Sequence, residues 1–330
     1  MPKVSVIIPT RNRAPLLQRA IASVMRQTLS DLEILVIDDG STDDTSKAVR
    51  AAVDSRVRYF RHPESRGTAC SRNTGITHAA SPYCAFLDDD DEWFPDKLRL
   101  QIAKLEAAPS TVAVMATGYV EVEAATRRVI QEWVPSRTRW AFDEVLTQGN
   151  LAPTSTILLK TDCFAKVGLF DPSLTYGEDL DMWLRLAKEF EIDAVPAALT
   201  IISLQPSGLS RNYGVIAQGC DAFLRKHRTA LEALPRVYAE RLRGLGTYYA
   251  FIGDMPKART AFWRAIAQDP ANLKIYACIA ASWMGSDTFK RLSFTRNVLL
   301  ERVPEKIGNL RKSRLQNGRP TALSATDNLP

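Results

Sequence analysis

The sequence has no apolar run near the ~20 residues that a membrane-spanning helix needs, so no such span is expected. Its first residues, MPKVSVIIPT, hold a short apolar run that soon meets Pro9. They lack the apolar h-region and small-residue cleavage site of a secretory signal. Cysteine is sparse: residues 70, 84, 163, 220 and 278 are an odd number, widely spaced, with no C-x-x-C pair. A disulfide frame and a cysteine zinc site are thereby excluded, and reduced thiols in the cytoplasm are expected. The three histidines, 62, 78 and 227, stand at no spacing that suits a metal or a catalytic pair and are read as structural. Neither G-x-x-x-x-G-K-[ST] nor G-x-G-x-x-G occurs, which weighs against NTPase and dehydrogenase chemistry. The segment PTRNRAPLL contains no glycine, which counts against the Gly-rich loop of a nucleotidyltransferase.

What is present is a chain of 330 residues, enough for one large domain and a small one, with a hydrophobic share of 45% and a charged share of 24%. Net charge is +6 and unevenly spread: residues 285–330 carry nine Lys/Arg against four acids. This basic tail reads either as a solvated segment or as a patch for anionic lipid headgroups. Without an aromatic residue after Phe294, it offers nothing for base stacking, and no nucleic-acid partner is expected.

Strand and helix signals alternate four times in the first ninety residues. VSVIIP, LEILVIDDGS, VRYFRHP and YCAFLDDDD read as short strands built on β-branched or apolar runs, and segments of helical period separate them. That alternation argues for an α/β fold with a parallel, doubly wound sheet. Three of the strands end in special polar residues, PTRN, DDGS and DDDD, which would converge where such sheets bind ligands. VAVMATGYVEVE with RRVIQEWV, then TSTILLK and AALTIISL, add strands and make the sheet mixed. GEDLDMWLRLAKEF reads as a helix with an acidic start that suits the helix dipole. Trp133 and Trp140 flank a Pro/Ser/Arg loop and are read as packing residues, with sugar stacking as the alternative.

From residue 215 the pattern is helical. Leu242, Leu245, Gly246, Tyr249, Ala258, Phe262, Ala265 and Pro270 fall at the offsets of one tetratricopeptide repeat, with an ordinary helical hairpin as the alternative. A lone repeat cannot bury its face, so it should pack on the rest of the chain or on a protein partner. The expected division is 1–214, 215–304 and a polar basic tail, 305–330, without a fold of its own.

The run DDDDEWFPDKL demands an explanation, because adjacent carboxylates repel. A calcium loop needs a glycine near the sixth position, where this run has Phe94 or Pro95. On an extended segment, residues i and i+2 point the same way, so Asp88 and Asp90 are expected to face one hard cation. Asp89 and Asp91 would then face elsewhere.

VSVIIPTRNR, LEILVIDDGSTDDT, RGTACSRNTGI, AFLDDDDEWFPDKL and GEDLDMWLRL occur in this order, and together they resemble the family 2 inverting glycosyltransferases of the GT-A fold. The likeness covers roughly residues 3–212. It implies a GT-A domain, a Mn²⁺ or Mg²⁺ cofactor and a nucleotide-sugar donor, UDP- or dTDP-linked. The implied acceptor is a hydroxyl of a glycan or lipid-linked glycan in cell-surface polysaccharide synthesis. It places Pro9, Thr10 and Arg11 in the base pocket, where many relatives carry a Tyr in place of Arg11; a guanidinium can stack too. Asp39 would accept from the nucleobase, and Asp38 would support the loop. Arg66, Gly67, Arg72, Asn73 and Asp89 would belong to the nucleotide site. Asp88 would contact ribose and share the metal with Asp90. Asp179 would be the general base, with Glu178 its neighbour and rival. Gln205 stands where relatives often have a metal- or phosphate-binding His, with Ser207, Ser210 and Arg211 as further phosphate contacts. The implied setting is the cytoplasm, at the inner face of the membrane through the basic tail. A catalytically weak scaffold that binds partners through its helices is the alternative.

Overall fold

The computed structural model describes residues 1–136, 139–148, 152–205 and 212–295. The tail (305–330) and the phosphate candidates Ser207, Ser210 and Arg211 lie outside the described residues. The strands are β1 (Val4–Thr10), β2 (Leu32–Asp38), β3 (Val57–Arg61), β4 (Tyr83–Phe86), β5 (Glu92–Trp93), β6 (Val112–Glu123), β7 (Val129–Trp133), β8 (Arg139–Trp140), β9 (Leu158–Lys160) and β10 (Glu191–Leu204). Among them run helices α1 (Ala14–Met25), α2 (Thr45–Arg50), α3 (Thr68–His78), α4 (Lys97–Ala107), α5 (Phe142–Gln148), α6 (Cys163–Val167) and α7 (Glu178–Glu189). Six more follow: α8 (Tyr213–Lys226), α9 (Arg228–Glu232), α10 (Pro235–Phe251), α11 (Met255–Gln268), α12 (Leu273–Ser282) and α13 (Ser286–Thr295).

The sheet order is β3-β2-β1-β4-β9-β6-β10-β5, with β7 beside β6 and β8 beside β10. β1 pairs in parallel with both β2 and β4, while β9 runs antiparallel to β4 and β6. The expected mixed sheet is there, and strand order reverses between β1 and β4. β1 and β2 are buried along their whole length, and alternate residues feed opposite faces. Val6, Ile8, Ile34 and Val36 join Leu17, Ile21, Leu98 and Ile102 under α1 and α4. Ile7, Leu35 and Ile37 join Ile76, Phe170 and Trp183 on the other face. Period-two burial of unbroken apolar runs is what a parallel sheet covered on both sides requires.

The second apolar cluster does not stop at the sheet. It continues through Ala217, Phe223, Tyr238, Leu242 and Phe262 to Phe289, so the C-terminal helices share a core with the α/β part. α10 and α11 form an antiparallel hairpin closed at Gly246, where an added Cβ would stand 2.4 Å from the Phe262 ring. Leu242, Leu245, Ala258, Phe262 and Ala265 are all buried, the arrangement that a tetratricopeptide unit and a plain helical hairpin have in common. Trp140 is buried in this same core, and Trp133 stacks on Tyr119 at 5.4 Å, so both pack within the fold.

Candidate active site

The ends of β1, β2 and β4 meet beside the switch in strand order, where ligands of open α/β sheets bind. After β1, Asn12 takes a positive φ of 54°, a conformation asparagine tolerates. Its amide accepts from Thr42 N–H at 2.7 Å, and its own N–H donates to Ser41 Oγ at 2.9 Å. The loops after β1 and β2 are thereby tied together. Pro9 and Thr10 complete β1, and Arg11 is exposed at its tip. Asp38 is buried and accepts from Ser41 N–H at 2.7 Å and from the Tyr59 hydroxyl.

Asp39 departs from expectation. Its carboxylate accepts four bonds from its own chain: Arg66 N–H at 2.8 Å, Gly67 N–H at 2.9 Å, Ser65 Oγ at 2.7 Å and His62 Nδ1 at 2.8 Å. Burial alone would raise its pKa, but these donors outweigh burial and hold it at about 2. A carboxylate has about four acceptor positions. Four donors meet it here, so Asp39 braces the loop after β3. The Arg66 side chain is exposed, and its contribution to this brace is backbone. His62, read as structural, belongs to this brace. Its other nitrogen, Nε2, meets Thr74 Oγ1 at 2.9 Å. No sequence spacing links His62 to Asp39; parallel pairing of β2 with β3 does. Asn73 likewise turns away from the nucleotide role. Both ends of its amide bond the Phe170 backbone, at 2.8 and 2.9 Å.

The aspartate run is not an extended strand end. β4 stops at Phe86, and Asp91 N–H bonds back to Asp88 C=O at 3.1 Å, so residues 88–91 form a tight turn. The turn, not strand alternation, brings Asp88 and Asp90 together. Burial first, then the Asp88 charge, pushes Asp90 up to about 6. Asp89 is buried against Thr10 Oγ1 (2.7 Å) and Arg13 (3.0 Å), so it serves the protein rather than a nucleotide. Arg13 Nη1 also reaches Asp90 at 2.9 Å. Asp91 is buried, accepting from Ser155 Oγ at 2.6 Å and Ser203 N–H at 3.1 Å. The single hydroxyl of Ser155 also receives Asp88 N–H at 3.0 Å, so it fixes the turn at two points.

Arg72 joins this turn to α7. It is buried, with one nitrogen 2.8 Å from Asp88 and another 2.8 Å from Glu178. Its Nε is buried without a partner among the described residues. Burial disfavours its charge, but Asp88 and Glu178 more than offset that and raise its pKa. Asp179 begins α7 beside Glu178, and its carboxylate accepts from Leu180 N–H at 2.7 Å. Burial and then the Glu178 charge push it up to about 7, against a partial offset from Arg72. The third acid of this helix, Asp181, has a different task. It is buried and meets Arg185, Lys226 and His227 at 2.8–2.9 Å, which bolts α7 to the end of α8.

Among the described residues, the four carboxylates at 88–91 face only Arg13 and Arg72, a deficit of positive charge that a divalent cation between Asp88 and Asp90 would offset. Among the described residues, no group of three or more His, Cys, Asp or Glu side chains is placed to hold a metal unaided. The residues therefore fit a cation that draws most of its oxygens from a diphosphate. Gln205 lies two residues beyond Ser203, which β10 delivers to Asp91. Its amide nitrogen is buried with no partner among the described residues. An N–H₂ group there suits a phosphate oxygen better than a metal.

The family model for glycosyl transferase family 2 matches residues 5–167. A Rickettsia felis protein described as an uncharacterized glycosyltransferase is 33% identical over 61% of this chain, and the chain spans only about a third (33%) of that relative's length. The succinoglycan biosynthesis protein ExoO of Rhizobium meliloti is 30% identical over 76% of each chain. The Escherichia coli UDP-Glc:α-D-GlcNAc-diphosphoundecaprenol β-1,3-glucosyltransferase WfgD is 28% identical over 58% of this chain and 72% of its own. Among solved structures, S. aureus TarS 1-349 in complex with UDP-GlcNAc superposes with a TM-score of 0.61 at 18% identity, over 89% of this chain and 91% of that one. A Pyrobaculum calidifontis mannosyltransferase in complex with GDP-Man and Mn²⁺ gives 0.56 at 20% identity, over 90% and 82%. The fold is thus a GT-A fold with added C-terminal helices, and the chain belongs to glycosyl transferase family 2.

Proposed function

We propose that this protein transfers a sugar from a UDP- or dTDP-sugar to a hydroxyl of a lipid-linked glycan, inverting the anomeric centre, in polysaccharide or glycoconjugate synthesis. The observation that carries the reading is the pair of acids at the start of α7. Arg72 pins Glu178, whereas Asp179 stands beside it with a carboxyl pushed up to about 7. A half-buried carboxylate raised to near neutrality is matched to removing a proton from an acceptor hydroxyl. Asp179 is therefore the base, acting on the acceptor oxygen as that oxygen attacks the anomeric carbon. Glu178 and Arg72 fix its distance from Asp88, so acceptor and donor approach along a set line. The nucleobase rests against Pro9–Arg11 and the loop that Asp39 organises. Mn²⁺ or Mg²⁺, held by Asp88 and Asp90, would supply positive charge to the departing diphosphate.

The acceptor class rests on the likeness to WfgD, whose acceptor is a diphosphoundecaprenol-linked sugar. The test is a panel of UDP- and dTDP-sugars with undecaprenyl-diphosphate-linked acceptors in Mn²⁺, with the product anomer read by NMR. A product of inverted configuration with at least one donor is expected, and Asp90→Ala should abolish it. Absence of both binding and turnover across the panel would remove the enzyme reading.

A further inference from the structure

α12 is apolar almost all the way round. Ile275, Cys278, Ile279 and Ala281 are buried against the neighbouring helices. The opposite side is apolar too, yet open: Leu273 is 79% exposed, Tyr276 42%, Trp283 69% and Met284 60%. Ala277 and Ala280 are exposed between them. Steps of three and four along a helix place these residues in one stripe. α11 widens it. Arg259 lays its guanidinium over the Trp283 ring at 4.3 Å, and one turn further along α11 stands Trp263, 56% exposed. Single exposed apolar residues need no explanation, but a continuous band containing two tryptophans does.

The charge around the band indicates its occupant. Residues 255–295 carry six Lys/Arg (257, 259, 264, 274, 290, 291) against two acids (269, 287). From 255 to the end the net charge is +8, while the part holding the active site, 1–254, is −2. A second copy docking face to face would bring this positive charge against itself. An anionic bilayer suits both features at once, since Trp and Tyr settle at the headgroup boundary and Lys and Arg meet lipid phosphates.

We propose that the α11–α12 face is a membrane-docking surface, with Trp263, Tyr276 and Trp283 seated in the interface of an anionic bilayer and Arg259 and Lys274 beside them on its phosphates. The proposal rests on the reading of a lipid-linked acceptor, which requires the enzyme at a bilayer. It concerns the body of the fold, separately from the basic tail.

The test uses the full chain with phosphatidylcholine vesicles, with and without phosphatidylglycerol. Tryptophan emission should shift to the blue and be quenched by brominated acyl chains only when phosphatidylglycerol is present. The double variant Trp263→Ser/Trp283→Ser should partition about ten-fold less or weaker still. Both positions are exposed, so its thermal unfolding and UDP-sugar affinity should match the parent. Undiminished partition of the double variant, partition indifferent to lipid charge, or a stable dimer that the double variant splits would each overturn the proposal. Because the vesicles contain neither donor nor acceptor, this assay reads the surface alone. Vesicle binding that persists while every lipid-linked acceptor fails would support the surface and strike only the acceptor reading.

Discussion

Glu178 and Asp179 are consecutive, yet they have different surroundings. Glu178 faces a guanidinium at 2.8 Å, while Asp179 is raised to about 7 by burial and by Glu178 itself. A base must be ionised to act, so log kcat/KM should rise with unit slope as pH climbs toward about 7 and level off above it. Asp179→Asn should cost roughly 10²–10⁴ in kcat and leave UDP-sugar affinity within about two-fold. A rate that is flat through about pH 6 to 8 would move the base elsewhere. Arg13 yields a second test. Its Nη1 sits 2.9 Å from the Asp90 carboxylate that a cation would use, so guanidinium and metal compete for that oxygen. Arg13→Ala should therefore bind Mn²⁺ several-fold more tightly, by the loss of a like charge a few ångströms away, as read by Mn²⁺ paramagnetic resonance without donor. Equal or weaker Mn²⁺ binding would make Arg13 a support of the site rather than a rival. The carboxylates of both sites were legible in the sequence because acids in a row are costly. Arg13, His62 and Ser155 were not, because nothing local marks an ordinary residue whose partner is tens of positions away.

At the scale of elements, α7 carries the proposed base and α8 holds α7 in place. Gly219 of α8 lies against Tyr176, just before α7, and an added Cβ would stand 2.6 Å from the Tyr176 carbonyl oxygen and 2.8 Å from its nitrogen. Those are backbone atoms and cannot rotate aside. Gly219→Ala should thus cost about 1–3 kcal/mol in stability and displace the start of α7. Its kcat should fall while donor affinity holds, and kinetics that match the parent would mean that α8 does not position the base. Asp181 reinforces the joint through Lys226 and His227, the second histidine with a structural role. The strands and most helices before residue 90 follow from hydrophobic period alone. The aspartate turn does not, because Arg13, Arg72 and Ser155 stabilise it and an isolated peptide would lack all three. α4 follows β5, and its fully buried Lys97 lies over the Trp93 ring at 4.0 Å, an amine in a place where sequence patterns expect an apolar residue.

At the scale of the whole molecule, the expected border near 215 is a change of secondary structure and not a break in the core. One apolar cluster runs from Ile7 in β1 and Phe86 in β4, through Trp183 in α7 and Phe223 in α8, to Phe262 and Phe289. Arg241 of α10 caps the Leu146 carbonyl of α5 at 2.9 Å, a further tie across the same border. Domains that unfold separately share few contacts, whereas a shared core couples their melting. Calorimetry should therefore give one transition, with the calorimetric and van't Hoff enthalpies in agreement. A chain cut after Asn212 would expose the apolar surface that Ala217, Phe223, Leu224 and Leu231 now cover. That fragment should aggregate, or fold only with α8–α13 supplied in trans, despite retaining the carboxylates at 88–91 and 178–179. Two resolved transitions, or a soluble fragment with the parent's donor affinity, would instead make the helices a separable appendage. The base would then owe its position to Arg72 alone, and the kinetic effect expected of Gly219→Ala should disappear along with the coupling.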